Sequence, residues 1–195
     1  MLEVELKSVV DDVVARRTAV EAAGGRLIYA GRLLDVRYDL PDRSMMTRDH
    51  VLRLRIYETP GSRKGQLDWK GKTRYEDGFK LREEVSTVAD DPAALSEILK
   101  RLGYVVTSEI EREIAQYELA GATVRFEEYL EMDPLVEVEG SPEQIEEAIR
   151  LIGLSRAGFT SERLLEFVAR YEARTGRRAV LFRNPGRMTG ALLPQ

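Results

Sequence analysis

Cysteine is absent from this 195-residue chain, and histidine occurs once, as His50. The first absence excludes a disulfide framework, a zinc finger, a thiol nucleophile and an iron–sulfur cluster. The second excludes a scheme needing two histidines or a histidine-rich metal site. No run approaches the roughly 20 apolar residues of a membrane span. Acidic Glu3 and Glu5 follow the first methionine too closely for a signal peptide. A soluble, cytoplasmic protein off the membrane is therefore expected. An excess of positive charge is also missing. Thirty Lys and Arg against 34 Asp and Glu leave a net charge of −4, which excludes a generally basic nucleic-acid binder. Nor is there a P-loop, a G-x-G-x-x-G fingerprint or a Ser-His-Asp arrangement. What is present is 43% hydrophobic and 33% charged residues. That is apolar enough for a core, with a charge content whose placement needs explaining.

Apolar and charged residues alternate over 2–7, which predicts a strand. Acids early and Gly24-Gly25 late predict a helix over about 9–23. Further strands are expected at 26–40, 50–58, 66–73 and 79–88, parted by turn signals at Pro41-Asp42, Pro60-Gly61 and Asp77-Gly78. Asp91-Pro92 opens a helix to about Arg101, strands follow at 104–118, 122–131 and 134–139, and helices at 141–152 and 160–174 complete the pattern. Residues 176–195 show no clear period and read as a loose tail after a single domain over 1–175. About eight strands with few crossovers, plus four helices, give an α+β chain with a largely antiparallel sheet.

The polar faces of these strands carry full charges rather than scattered polar groups. They present Glu3, Glu5 and Lys7; Asp35 and Arg37; Arg53 and Arg55; Asp68, Lys70 and Lys72; Lys80, Arg82 and Glu84; Arg125 and Glu127; Glu137 and Glu139. Residues i and i+2 on one face stand about 6–7 Å apart, so each face is a ladder of charge. One reading is a solvated outer face, which antiparallel sheets often have. The other is a closed sheet with charge inside and helices packed outside. Four amphipathic helices suit the second, but alternation does not choose between them.

If the faces share one cavity, its acids come from the chain ends and its bases from the middle. Clustered carboxylates suit Mg²⁺ or Mn²⁺, and Lys and Arg suit phosphate oxygens. A triphosphate needs both kinds of neutralisation before a phosphorus can be attacked.

The opening Glu3-Val4-Glu5-Leu6-Lys7 resembles the E-x-E-x-K signature of the CYTH superfamily, the triphosphate tunnel metalloenzymes. Leu52-Arg53-Leu54-Arg55, Trp69-Lys70-Gly71, Arg82-Glu83-Glu84, Val124 to Glu128 and Val136-Glu137-Val138-Glu139 then follow in the family's order. The resemblance covers about residues 2–165. It implies an eight-stranded, mostly antiparallel closed β tunnel with a charged lumen. It implies Mg²⁺ or Mn²⁺ on Glu3, Glu5, Glu137 and Glu139, with Glu127 where the family usually has aspartate. Lys7, Arg53, Arg55 and Lys70 would grip a nucleoside, inorganic or organic triphosphate, helped by Lys72, Arg82 and Arg112. Lys7 and Glu5 would be the catalytic pair, and Arg37 and Glu84 further lumen residues. The 104–118 region looks most like the class IV adenylyl cyclase and thiamine triphosphatase branch, whose products are cyclic AMP with pyrophosphate, or diphosphate with phosphate. A second cation of that branch falls here on Ile114, and Arg112, flanked by Ile110 and Ile114, competes as a core-edge residue with a snorkelling head. Loss of turnover in a triphosphate-binding module is a further alternative. Relatives are often dimers, so a homodimer is the assembly suggested. His50 is expected in a turn or at the surface, and Trp69 in the core.

Overall fold

Backbone hydrogen bonding closes eight antiparallel strands on themselves. In this computed structural model, residues 2–76 and 79–183 are described, Leu2 and Glu3 by backbone only. The strands are β1 (Leu2–Val9), β2 (Arg26–Asp39), β3 (Val51–Thr59), β4 (Ser62–Lys70), β5 (Arg74–Glu76), β6 (Phe79–Ala89), β7 (Val105–Leu119), β8 (Ala122–Tyr129) and β9 (Leu135–Glu139). Their order is β1-β9-β8-β7-β2-β3-β4-β6, and β1 pairs β6 to complete the barrel. The three-residue β5 is added beside β6. The α+β class and the closed antiparallel tunnel are thus as the sequence leads one to expect.

Helices pack on the barrel's outer face because the strands' apolar set points there. Leu6, Val124, Phe126, Val136 and Val138 meet Ile145, Ile149 and Ile152 of α4 (Pro142–Ile152) and Val20 of α1 (Val13–Ala22). Val36, Tyr38, Leu52, Leu54 and Ile56 pack against α3 (Pro92–Arg101) through Leu99. Local chemistry sets the helix starts. The Asp12 carboxylate accepts from Ala15 N at 3.0 Å, so α1 begins at Val13 and not near residue 9, where β1 still runs. Asp91 accepts from the Ala93 and Ala94 amides, and Ser141 with Gln144 forms a reciprocal cap for α4.

One short helix has no sequence signal, and one strand has shifted bounds. The single turn α2 (Ser44–Thr47) is held by the Asp39 carboxylate, which accepts from the amides of Met45 and Met46. Four residues are too few to show a helical period. The strand expected over 66–73 starts earlier, at Ser62, and stops at Lys70, with the Gly71 amide still donating to Glu83 O on β6.

A last helix, α5 (Leu164–Thr175), closes one end of the barrel. Its Phe167 and Tyr171 pack with Ile110 and Leu135, which share the inward side of their strands with Arg112 and Glu137. Residues 179–183, expected to be loose, are held in place. Val180 exchanges backbone hydrogen bonds with Glu131, Leu181 O accepts from Glu111 N, and Arg183 reaches the buried Glu111 carboxylate at 2.9 Å. Residues 184–195 lie outside the described residues.

Candidate active site

Period two decides what fills the barrel. Once the apolar residues face the helices, every alternate charge must face inward, and the register brings those charges rung to rung. Lys7 of β1 lies opposite Glu137 of β9, and Glu5 lies opposite both Glu139 and Lys80. Arg53 lies opposite Arg37 on one side and Asp68 on the other, while Arg55 has Asp35 and Gln66 as its neighbours. Glu5, Lys7, Asp35, Arg53, Arg55, Asp68, Lys70, Lys80, Arg82, Arg112, Arg125, Glu127 and Glu137 are all buried.

The carboxylates form two groups. In the first, Lys7 Nζ stands 2.9 Å from Glu5 and 2.6 Å from Glu137. The other oxygen of Glu5 meets Lys80, and the other oxygen of Glu137 meets Arg125. Burial alone would raise Glu5, but Lys7 and then Lys80 hold it down at about 2, against repulsion from Glu137. Glu137 is likewise held well below the usual carboxylate range: burial opposes this, and Arg125 and Lys7 outweigh it. Lys7 itself is pushed up, because Glu137 and Glu5 outweigh the cost of its burial.

In the second group, Arg112 donates to Glu127 at 2.9 Å and to Asp35 at 3.1 Å. Asp35 also has Arg53 at 3.6 Å and Arg55 at 3.8 Å, and Asp68 takes Arg53 at 2.9 Å. Tyr129 donates to the second oxygen of Glu127, and its ring lies under the Arg112 guanidinium at 5.9 Å. The head of Arg112 is therefore buried on the inward side. This corrects the expectation of a snorkelling core-edge arginine: the apolar neighbours Ile110 and Ile114 also face in.

Some cation donors are not satisfied by this network. Arg37 Nε and Arg112 Nη1 are buried with no hydrogen-bond partner among the described residues. Arg37 pays for burial and for the facing Arg53 with a lowered value of about 10, only partly offset by Asp35. Guanidiniums with unused N–H groups inside a cavity are donors for an anion.

Most positions expected from sequence are thus brought to one interior. Lys70 pairs Glu84 at 3.0 Å, and Arg82 donates to Gly71 O at 2.7 Å and Asp49 O at 2.5 Å. Lys72 is the exception: it is exposed in the loop after β4. The side chain of Glu3 lies outside the described residues, though its backbone pairs with Arg82 on β6. Asp35, Asp68, Lys80 and Arg125, named among the ladder charges but given no role, complete the interior network together with Tyr129. Their signal was the shared parity with residues that were given one. His50 is half-buried, edge-on to a half-buried Trp69 at 5.2 Å, away from these charges.

Among the described residues, no three carboxylates or histidines are grouped to hold a metal ion. Two do converge, Glu5 and Glu137, on the ammonium of Lys7. Their donors are all oxygen, which suits a hard divalent cation.

The CYTH domain model matches residues 1–156. The chain belongs to the CYTH family. CYTH proteins are typically metal-dependent enzymes acting on triphosphates. No curated protein matches the chain. Among solved structures, a Vibrio parahaemolyticus protein described as a candidate adenylate cyclase is similar with a TM-score of 0.73 at 17% identity, covering 87% of this chain and 98% of that one. A Pyrococcus horikoshii protein gives 0.66 at 21%, covering 85% and 98%. A Hippeastrum candidate adenylyl cyclase, described as having a dominant triphosphatase activity, gives 0.60 at 16%, covering 92% and 98%. At these identities the likeness is one of fold, and this CYTH chain spans nearly the whole of each.

Proposed function

We propose that this chain is a divalent-metal-dependent enzyme that draws a triphosphate into its barrel and breaks one phosphoanhydride bond. The observation that carries the reading is the inward arginine set in which Arg37 and Arg112 keep buried donors without partners. Arg53, Arg55, Lys70 and Arg82 extend it, whereas the exposed Lys72 is left out. A polyanion entering here would replace Asp35 and Asp68 as partner of these guanidiniums. Glu5 and Glu137, with Glu139, Glu127 and Glu3, would hold Mg²⁺ or Mn²⁺. Such an ion would neutralise phosphate charge and orient the reacting phosphorus.

Lys7 is charged while both carboxylates hold it. With Glu5 and Glu137 engaged elsewhere, burial would draw it toward the neutral form. It could then take a proton from the attacking hydroxyl, or as a cation hold a phosphate oxygen.

The first assignment is class IV adenylyl cyclase chemistry: the 3′-hydroxyl of ATP attacks the α-phosphorus and pyrophosphate leaves. The second is hydrolysis of a terminal phosphate of tripolyphosphate or thiamine triphosphate. It is favoured by Ile114, an apolar residue facing inward opposite Glu127, and by the triphosphatase described for the Hippeastrum neighbour. Incubation with ATP and with tripolyphosphate, each with Mg²⁺ or Mn²⁺, distinguishes them. Cyclic AMP with pyrophosphate supports the first, and orthophosphate the second. Tight binding without product leaves a binding module, and neither binding nor product overturns the reading.

A further inference from the structure

Two aspartates face the inward arginines, and they are held very differently. Asp68 is bonded through both oxygens. One accepts from Arg53 Nε at 3.2 Å and Arg53 Nη2 at 2.9 Å, and the other from Gln66 at 2.7 Å and the Ser86 hydroxyl at 2.8 Å. Asp35 has a single hydrogen bond among the described residues, from Arg112 Nη2 at 3.1 Å. Its other oxygen, Oδ1, is buried with no hydrogen-bond partner. Arg53 at 3.6 Å and Arg55 at 3.8 Å attract Asp35 but stand too far away to donate.

We infer that Asp35 is a built-in competitor for the phosphate site. It holds the arginines in the ligand-free protein, gives way when phosphate groups enter, and takes the arginines back as an anionic product leaves. This role rests on the triphosphate grip proposed above, and it sets how firmly that grip holds.

Three observations carry it. The first is where the unsatisfied groups gather. Among the described residues, the buried side-chain atoms without a hydrogen-bond partner are Asp35 Oδ1, Arg37 Nε, Arg55 Nε, Arg112 Nη1 and Glu111 Oε2. All but the last belong to Asp35 or to the arginines beside it. Buried donors normally find partners, so one flat carboxylate is a poor fit to so many guanidiniums. A phosphate group brings more oxygens in a tetrahedral array, and reaches N–H groups that Asp35 leaves unused.

The second is charge. Burial opposes ionisation of Asp35, but Arg112, then Arg53 and Arg55, hold it well below the usual carboxylate range. It therefore competes with phosphate as an anion.

The third is the contrast with Asp68. Freeing Asp35 from the arginines breaks one hydrogen bond. Freeing Asp68 breaks four and leaves Arg53 without its anchor. Asp35 therefore yields first. A ligand that binds only the released arrangement has its affinity reduced by the fraction of molecules in that arrangement.

Calorimetric titration of the full chain with tripolyphosphate and with pyrophosphate, in EDTA to prevent turnover, tests this. Asp35→Asn is expected to bind both anions roughly tenfold tighter than wild type, a direction that loss of a merely structural residue would not give. Asp68→Asn removes the same charge but also the anchor of Arg53, and is expected to bind neither anion more tightly. Melting curves establish that each variant folds. Unchanged or weaker binding by folded Asp35→Asn overturns the competitor and leaves the grip intact. Comparable tightening in both variants reduces the effect to net charge and overturns it too. If a variant does not fold, a structure of the wild-type chain with tripolyphosphate decides. Asp35 parted from Arg112 supports the competitor, and phosphate bound with the Asp35–Arg112 bond intact overturns it. No binding of either anion by any folded form overturns the grip, and the role of Asp35 with it.

Discussion

The Lys7 ammonium lies 2.6 Å from the Glu137 carboxylate, directly across the β1–β9 ladder. It acts as an internal counter-ion for a carboxylate pair that would otherwise repel. Lys7→Met leaves Glu5 and Glu137 short of one partner in a buried setting, and is expected to cost about 3 kcal/mol of stability in urea unfolding. Mg²⁺ should restore part of that loss in the variant and change the wild type less.

Because that lysine already compensates the carboxylates, metal removal should separate function from folding. EDTA is expected to abolish turnover while shifting Tm by less than about 2 °C, which is at most about 1 kcal/mol for a chain of this size. Glu5→Gln should fold and lose activity by a factor on the order of 10² or more, measured as product release from a triphosphate.

Arg37 predicts the opposite balance. Its buried Nε lacks a partner among the described residues, and its value is lowered by burial and by Arg53. Arg37→Met is expected to stabilise the ligand-free protein by about 1–2 kcal/mol, the scale of one unsatisfied buried group. The same variant should bind tripolyphosphate at least tenfold more weakly. A variant that is less stable and binds normally would make Arg37 a structural residue.

Acid stability follows from the depressed carboxylates. Glu5 moves from an ordinary 4.5 to about 2 despite burial, through Lys7 and Lys80, and Glu137, Asp35 and Glu127 also move down. A group lowered by folding contributes stability that is full above its unfolded value and is lost as pH falls through its folded value. Unfolding free energy should therefore fall between about pH 4.5 and 2. Glu5→Gln should reduce that slope by roughly one proton.

Much of this was legible in the chain because a closed sheet obeys a period of two. Glu3, Glu5 and Lys7 could be placed on one face, and so could Arg53 with Arg55 and Glu137 with Glu139. What alternation could not show was which face turned inward, since a solvated ladder has the same pattern. Pairings were also hidden: Arg112 with Asp35 joins positions 77 residues apart, and only register determines them. Lys72 was misleading because Gly71 ends the alternation one residue earlier.

Phe167 and Tyr171 stopper the barrel beside Ile110 and Leu135. Among the described residues their rings occupy that end of the interior. Under the activity proposed above, an anionic product would then leave by the other end, and product added from outside would compete there with entering triphosphate.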